Sequence, residues 1–154
     1  MTQHLLIDDV RRDDLDQIIQ IEQDAFVTPW HVESLEAGLK RPRTVFIALR
    51  QGERILGYGL TWLVADEMHI LKLAVHKDFR RRGYGSMLIA ETLRRGRDQS
   101  AHIAWLEVRP TNNAAQEMYK ANGFRTAFLR KKYYSDTGED AIILVRNLKA
   151  EEAD

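Results

Sequence analysis

The segment DFRRRGYGSML, residues 78–88, decides the fold of this chain. It follows a strand-like run, MHILKLAV (68–75), and begins a stretch with helical spacing that extends to Asp98. A glycine-rich turn between a strand and a helix leaves the first helical N–H groups, and the positive end of the helix dipole, available to an anion. Neighbouring guanidinium groups add bidentate bonds to phosphate oxygens. The residues predicted at such a diphosphate site are Arg80, Arg81, Arg82, Gly83, Tyr84, Gly85 and Ser86.

Taken alone, this turn fits a helix start with solvated arginines equally well, because short glycine motifs are weak signals. The segment lacks the Gly-Lys-Ser/Thr of a P-loop, and it lacks the third glycine of the dinucleotide fingerprint. Apolar spacing in the helix that follows predicts a buried face formed by Ser86, Ile89, Ala90 and Leu93.

Outward from this segment, the apolar pattern predicts a sheet with helices on it, in the order β-α-α-β-β-β-α-β-α-β-β. Gly57 and Gly59 lie inside the predicted strand 55–64 and indicate a bulge or a close backbone approach. Asn112 or Asn113 is expected to cap the last helix, and Gly123 follows its end. Residues 1–149 are expected to form one domain, with 150–154 as a short, frayed acidic tail.

The charge balance confines any anion binding to a local site. Lys plus Arg (23) equal Asp plus Glu (23), so the chain as a whole has no electrostatic attraction to nucleic acid or to an anionic membrane. The absence of cysteine excludes disulfides, thiolate nucleophiles and cysteine-based zinc sites. The five histidines lack metal-ligand spacing, so no metal is predicted. No segment resembles a leader or a membrane span, so a soluble, cytoplasmic protein is expected.

Several motifs, taken in order, carry a resemblance to a known family. LAV (73–75) is followed by RRRGYG (80–85), WLEV (105–108), RPTNNAA (109–115) and MYKANGF (118–124). Arg80, Gly83 and Gly85 fit Q/R-x-x-G-x-G/A, the acetyl-CoA signature of the GCN5-related N-acetyltransferases (GNAT). With DAFVTPW (24–30) and YYSDTGEDAIIL (133–144), the chain resembles the protein N-terminal acetyltransferases. These include the bacterial ribosomal-protein alanine N-acetyltransferases of the RimI kind and related archaeal enzymes.

This resemblance implies the α/β (α+β) GNAT fold, a mixed, mostly antiparallel twisted sheet of about seven strands with four helices. In that fold two central strands splay apart, and the backbone of Leu73, Ala74 and Val75 pairs with the pantetheine arm of acetyl-CoA. The Val75 N–H faces the thioester oxygen. Asn112 matches a cofactor-contacting asparagine, and a helix N-cap is an equally suitable and compatible role for it.

The resemblance also implies two catalytic side chains. Glu107 is the candidate base that takes a proton from the attacking amine, whereas its spacing alone favours an exposed strand glutamate paired with Lys or Arg. Tyr119 is the candidate acid for the cofactor sulfur. Its helical spacing with Ala115 and Asn122 also predicts a core aromatic, and the two roles are compatible.

Aromatic residues in two loops are the candidate substrate contacts. The resemblance makes Phe26, Pro29 and Trp30 one wall of a peptide groove, and Tyr133 and Tyr134 the other. The alternative is that these aromatics only fill the core. The pKa of an α-amine is about 7.7–8.0 and that of a lysine side chain is about 10.4. A protein N-terminus is therefore the easier nucleophile to deprotonate.

The leading hypothesis is therefore an acetyl-CoA-dependent enzyme that acetylates a protein N-terminus, with a ribosomal protein as substrate and a monomer or weak homodimer as the active form. A GNAT that acts on a lysine side chain or a small amine is the rival within the family. Two non-enzymatic alternatives are a CoA sensor and an RNA-binding module that uses Arg80–Arg82 with Arg94, Arg95 and Arg97. Zero net charge argues against RNA binding.

Overall fold

A computed structural model describes residues 4–149, and these form one mixed sheet with helices on both faces. The tail predicted at 150–154 lies outside the described residues. The strands are β1 Leu5–Asp9, β2 Thr44–Gln51, β3 Arg54–Val64, β4 Glu67–Val75, β5 Ile103–Val108, β6 Arg125–Arg130 and β7 Ala141–Asn147. The helices are α1 Leu15–Ala25, α2 Val32–Lys40, α3 Tyr84–Asp98 and α4 Asn113–Ala121.

The strands lie in the order β1-β2-β3-β4-β5-β7-β6, and only the β4–β5 pair is parallel. This confirms the predicted element order and the mixed, mostly antiparallel sheet. The β4–β5 pairing covers only Glu67–His69 and Ile103–Trp105. Beyond it, β4 stays paired with β3 and β5 stays paired with β7. We call the resulting gap, between 70–75 of β4 and 106–108 of β5, the cleft.

The two faces of the sheet carry different residues of the cleft. Leu106 and Val108 pack in the cluster that contains α3, so the side chain between them, Glu107, points to the opposite face, toward α1 and α2. In β4 the register with β3 shifts by one residue at Leu71. After this bulge, Lys72 faces α1, where its ammonium meets the Glu22 carboxylate. We call these the α3 face and the α1 face.

The buried face of α3 matches the prediction at Ile89 and Leu93 and differs from it at Ser86 and Ala90. Ser86 is only half-buried and Ala90 is exposed. The buried set is Gly85, Leu88, Ile89, Thr92, Leu93 and Gly96. The difference arises because the two glycines let neighbouring side chains reach the helix: a Cβ at Gly85 would lie 2.5 Å from the Met118 sulfur, and one at Gly96 would overlap Met68. Glycine does not count as an apolar residue in the helical spacing. The predicted face was therefore rotated away from Gly85 and Gly96.

The two glycines of β3 have different environments. A Cβ at Gly57 would lie 2.9 Å from the Ala74 carbonyl oxygen of β4 and 3.0 Å from Leu88 of α3. At Gly59 the nearest atoms would be 3.7 Å away, an ordinary contact distance. The predicted close approach is therefore present at Gly57 and absent at Gly59.

We expect Gly57→Ala to destabilise the protein by about 1–3 kcal/mol, because the new methyl group meets backbone that cannot rotate away. Gly59→Ala, two residues along the same strand, serves as the matched control and is expected to change stability by less than about 0.5 kcal/mol. Urea unfolding of both variants measures the difference. Equal unfolding midpoints would show that β3 and β4 can separate at this point without cost.

Candidate active site

The backbone of β4 presents free hydrogen-bonding groups to the cleft. Val75 pairs with Gly57, and the next residue, His76, donates its N–H to the Leu56 carbonyl at 2.7 Å. Bonded and non-bonded pairs alternate in an antiparallel ladder, so the N–H groups of Leu73 and Val75 point away from β3. The N–H of Ala74 points toward β3 instead, and its side chain is buried on the α1 face. Leu73 and Val75 therefore supply the open edge.

The turn after β4 has the geometry of an anion site. Gly83 adopts φ 83°, a conformation that favours glycine, and a Cβ there would meet no atom within 4 Å. The first bond of α3 runs from the Met87 N–H to the Gly83 carbonyl, so the N–H groups of residues 84–86 have no partner within the helix. Gly85 has another function, since its missing side chain makes room for Met118 of α4. The Ser86 hydroxyl accepts a bond from Asn122 at 3.0 Å.

Two of the three arginines of this turn, Arg80 and Arg82, contact neighbouring residues. Arg80 donates its Nε–H to the Val75 carbonyl at 3.1 Å, which ties the turn to the end of β4. Arg82 lies 5.2 Å from the centre of the Phe79 ring, and Arg54, from the start of β3, lies 4.6 Å from it. Arg81 is exposed and adopts φ 64°. Arg54 was missed by the sequence analysis, because it is 25 residues from Phe79 along the chain.

Glu107 is held at the cleft by two side chains. The His69 Nε2 lies 2.9 and 3.0 Å from its two carboxylate oxygens, and the Tyr133 hydroxyl donates to it at 3.3 Å. Because a carboxylate only accepts, the Nε2 of His69 carries the proton. The His69 ring stacks on Trp105 at 3.8 Å and 6°. The Glu107 side chain is 11% exposed. Its hydrogen-bond partners are a histidine and a tyrosine, not the lysine or arginine that strand spacing favoured.

Tyr119 approaches the cleft from the other side of the sheet. It packs on the α3 face in the cluster that contains Val108 and is joined by Leu73 and Val75. Its ring meets Phe124 edge-on at 5.4 Å. Burial raises the pKa of the Tyr119 hydroxyl, which makes no hydrogen bond within residues 4–149. The predicted packing role is therefore present.

The N-cap role proposed for Asn112 is observed. Its side-chain oxygen accepts the Ala115 N–H at 3.2 Å at the start of α4. The Asn112 side chain is exposed, so its amide group is accessible to a ligand at the same time. At the other end of α4, Gly123 adopts φ 91°, as its predicted position requires.

The two loops that carry the candidate substrate aromatics flank the cleft on the face to which Glu107 points. The two loops also contact each other. Phe26, Pro29 and Trp30 are half-buried in the α1–α2 loop. Strand β6 ends at Arg130, so Tyr133 and Tyr134 lie in the β6–β7 loop. Their rings meet edge-on at 5.0 Å.

A side-chain bridge joins these loops. The hydroxyl of Thr28, in the α1–α2 loop, donates to the carboxylate of Asp136, in the β6–β7 loop. Arg109, just after β5, binds the same carboxylate at 2.8 Å and lies 3.9 Å from the Tyr134 ring centre. Burial is the largest cause that raises the pKa of Tyr134 to about 12. The Glu107 side of the cleft is thus bounded by two connected loops.

This bridge is expected to persist at low pH. Hydrogen bonds from Arg109, and then from Thr28, lower the pKa of Asp136 to about 2. A depressed carboxylate pKa contributes stability above the ordinary value of 3.8, and that stability is lost only as the pH falls toward 2. Hydrogen exchange of residues 131–140 in the native protein should therefore show no added opening between pH 7 and pH 5. Asp136→Asn should open the loop at both pH values. Equal protection in this variant would contradict the bridge.

Within residues 4–149, no group of three or more His, Asp or Glu side chains could hold a metal ion. None of the helices in that range has both the length and the apolar composition that a membrane crossing requires.

Comparison with known proteins decides the family. The acetyltransferase (GNAT) family matches residues 15–124, which include the cleft, the arginine-glycine turn, Glu107 and Tyr119. The chain belongs to the GNAT family. A relative from Salmonella typhimurium, the ribosomal protein bS18-alanine N-acetyltransferase, is 36% identical over 85% of this chain and 89% of its own length.

Two solved structures extend this GNAT assignment over nearly the whole chain. The ribosomal-protein-S18-alanine N-acetyltransferase from Escherichia coli superimposes with a TM-score of 0.86 at 30% identity, covering 94% of each chain. Ard1 from Thermoplasma volcanium also gives a TM-score of 0.86, at 25% identity, covering 93% of this chain and 97% of that one. Both the predicted bacterial resemblance and the predicted archaeal resemblance are confirmed.

Proposed function

We propose that this GNAT protein transfers the acetyl group of acetyl-CoA to the α-amine of a protein N-terminus, with a ribosomal protein as its substrate. The observation that carries the proposal is the arrangement at the cleft: a fixed carboxylate, Glu107, lies on one face and a free phenol, Tyr119, on the other. Between them, β4 leaves the N–H groups of Leu73 and Val75 unpaired with β3. An amine and a thioester that meet in such a cleft have a base, an acid and an oxyanion donor within one site.

The residues of β4 and the following turn fit a CoA ligand. The free N–H groups of 84–86 and the αL glycine before them form a cradle for a diphosphate, with Arg80, Arg81 and Arg82 at its rim. Leu73 and Val75 offer the extended backbone that a pantetheine amide can pair with. Bound acetyl-CoA supplies the thioester carbonyl that the amine attacks.

Separate residues of this chain then accept the amine proton, stabilise the developing negative charge and protonate the sulfur. Glu107 accepts the proton of the attacking amine, directly or through a water molecule, while His69 and Tyr133 hold the carboxylate in place. The Val75 N–H donates to the thioester oxygen as negative charge develops there. Tyr119 gives its hydroxyl proton to the departing sulfur. The amine loses one proton to Glu107 and the sulfur gains one from Tyr119; Glu107 then releases its proton to solvent and Tyr119 takes one up, which returns both side chains to their starting states. The amine attacks the thioester directly, so no acyl-enzyme forms, in agreement with the absence of cysteine from the chain.

Two observations favour a protein N-terminus as the acceptor. The relatives from Salmonella typhimurium and Escherichia coli are named for acetylation of the alanine of ribosomal protein S18. The bridge between Thr28 and Asp136 joins the two loops beside the cleft, so we infer that a chain end inserts between them more readily than a lysine in mid-chain. We place this reaction in the cytoplasm and assign it to a monomer or weak homodimer.

The RNA-binding alternative is disfavoured by the ion pairs of α3. Arg94 binds Glu91 and Asp98, and Arg95 binds Glu91 and Asp9. These pairs neutralise the positive charge that a phosphate backbone would need on this helix.

The test uses three peptides that share one sequence and contain an internal lysine. One has a free N-terminal alanine, one a blocked N-terminus, and one a free N-terminus with the lysine replaced by glutamine. With acetyl-CoA, mass spectrometry should show acetylation of the first and third peptides at equal rates and little on the blocked one. Equal turnover of the blocked peptide would assign the enzyme to lysine side chains instead.

A further inference from the structure

We propose that a buried ion pair, Glu22–Lys72, positions the α1–α2 loop and thereby sets how tightly the acceptor peptide binds. The inference rests on the proposed function, because it takes Phe26 and Trp30 of this loop as a wall of the peptide groove. Glu22 and Lys72 act here as positioning residues; neither is placed in contact with the reacting atoms.

Glu22 is the centre of the arrangement. It lies in the last turn of α1 with no solvent exposure. Its carboxylate accepts the Trp30 N–H at 2.7 Å and the Lys72 ammonium at 2.8 Å, and it also accepts the Tyr58 hydroxyl. Three donors from the loop, β4 and β3 therefore converge on one carboxylate, which satisfies its charge without water.

Lys72 connects this carboxylate to the aromatic wall. Only 8% of the residue is exposed, which is rare for lysine. Its ammonium lies 3.9 Å from the centre of the Phe26 ring and 5.1 Å from that of Trp30. Such cation–π contacts strengthen when the cation is desolvated, as it is here. One buried cation thus contacts both rings as well as Glu22.

The position of Lys72 in β4 links this contact to the strand edge that we assign to the cofactor. It directly follows the bulge at Leu71 and directly precedes Leu73–Val75, the edge that we assign to the cofactor. The loop that carries Phe26 and Trp30 is therefore fixed to the same strand that would hold the thioester. A movement of the loop relative to β4 would displace the wall that Phe26 and Trp30 form for the acceptor peptide and so weaken peptide binding.

A buried ion pair is a poor means of gaining stability, because removing two charges from water costs about as much as their attraction returns. Apolar residues would fill the same space at least as well. The directional bonds of Glu22, in contrast, define one position for the Trp30 backbone. This favours a positioning function for the pair over a purely stabilising one.

The test compares Lys72→Met, Glu22→Gln and the double variant with wild-type protein. Glu36→Gln, which removes an exposed ion pair between α2 and Arg12, is the matched control. Two readouts are needed. Hydrogen exchange of residues 26–31 and of 67–75 reports on the loop and on β4 without any substrate. Steady-state kinetics with the alanine peptide, together with acetyl-CoA titration, report on function.

We expect faster exchange in 26–31, unchanged exchange in 67–75, and a peptide KM raised about tenfold, the effect of losing one charge-assisted hydrogen bond. The kcat should stay within about twofold and the acetyl-CoA Kd should not change, since the cleft itself is intact. Glu36→Gln should match wild type in every readout.

The double variant distinguishes an effect on loop position from an effect on protein stability. It also provides the test if either single variant fails to fold. It leaves no buried charge unpaired, so its unfolding midpoint should recover toward wild type. Its peptide KM should nevertheless remain raised. A folded double variant with wild-type exchange in 26–31 and wild-type KM would overturn the inference, as would a parallel loss of acetyl-CoA affinity. If wild type acetylates no peptide, the proposed function fails, and the exchange data still decide whether the pair positions the loop.

Discussion

Replacing Glu107 by glutamine should lower kcat about 100- to 1,000-fold and leave the acetyl-CoA Kd unchanged. Glutamine keeps the shape of the side chain and an oxygen that can accept from His69, but it cannot take a proton from the amine. The carboxylate lies on the α1 face, whereas the cofactor edge is backbone of β4, so cofactor binding should be insensitive to the change.

Stopped-flow or discontinuous thiol-release assays measure the rate, and calorimetry measures the cofactor affinity. Glu117→Gln, an exposed glutamate on α4, is the control for the loss of one negative charge and should retain wild-type rates. A Glu107→Gln enzyme with a kcat within about threefold of wild type would remove this carboxylate from the mechanism.

Replacing Tyr119 by phenylalanine should lower kcat about 100-fold with little effect on stability. The hydroxyl makes no hydrogen bond within residues 4–149, so the protein loses no internal bond when it is removed. The ring and its edge-on contact with Phe124 remain. The loss should therefore appear in the chemical step alone.

Phe124→Leu is the matched control for packing, because it removes the aromatic contact and keeps the Tyr119 hydroxyl. This variant should lower the unfolding midpoint and keep kcat within about threefold of wild type. The opposite pattern, a normal rate in Tyr119→Phe and a large loss in Phe124→Leu, would assign Tyr119 to the core only.

Much of the fold could be predicted because its signals are local. A strand, a glycine-rich turn and a helix are encoded within residues 68–98, and the observed β4 and α3 follow that order. The buried face of α3 was predicted correctly at Ile89 and Leu93 but wrongly at Ser86 and Ala90, because the prediction used local spacing alone. Gly85 and Gly96 are buried by Met118 and Met68, which come from other elements, and helical spacing carries no information about them.

The site was predictable only in part. Glu107 and Tyr119 could be proposed from the sequence because they occupy positions of family motifs. His69 was missed, because its contact with Glu107 depends on the parallel register that sets His69 beside Trp105. Glu22 and Lys72 were missed too: they are 50 positions apart, and a charged residue in an amphipathic pattern is normally assigned to the surface. Contacts set by strand register and burial require the structure.

Acetyl-CoA binding at the cleft can be measured by calorimetric titration of the folded protein. We expect saturable binding of one molecule per chain, weakened when both Arg80 and Arg82 are replaced by alanine. No heat of binding at millimolar acetyl-CoA, in protein that is demonstrably folded, would contradict it.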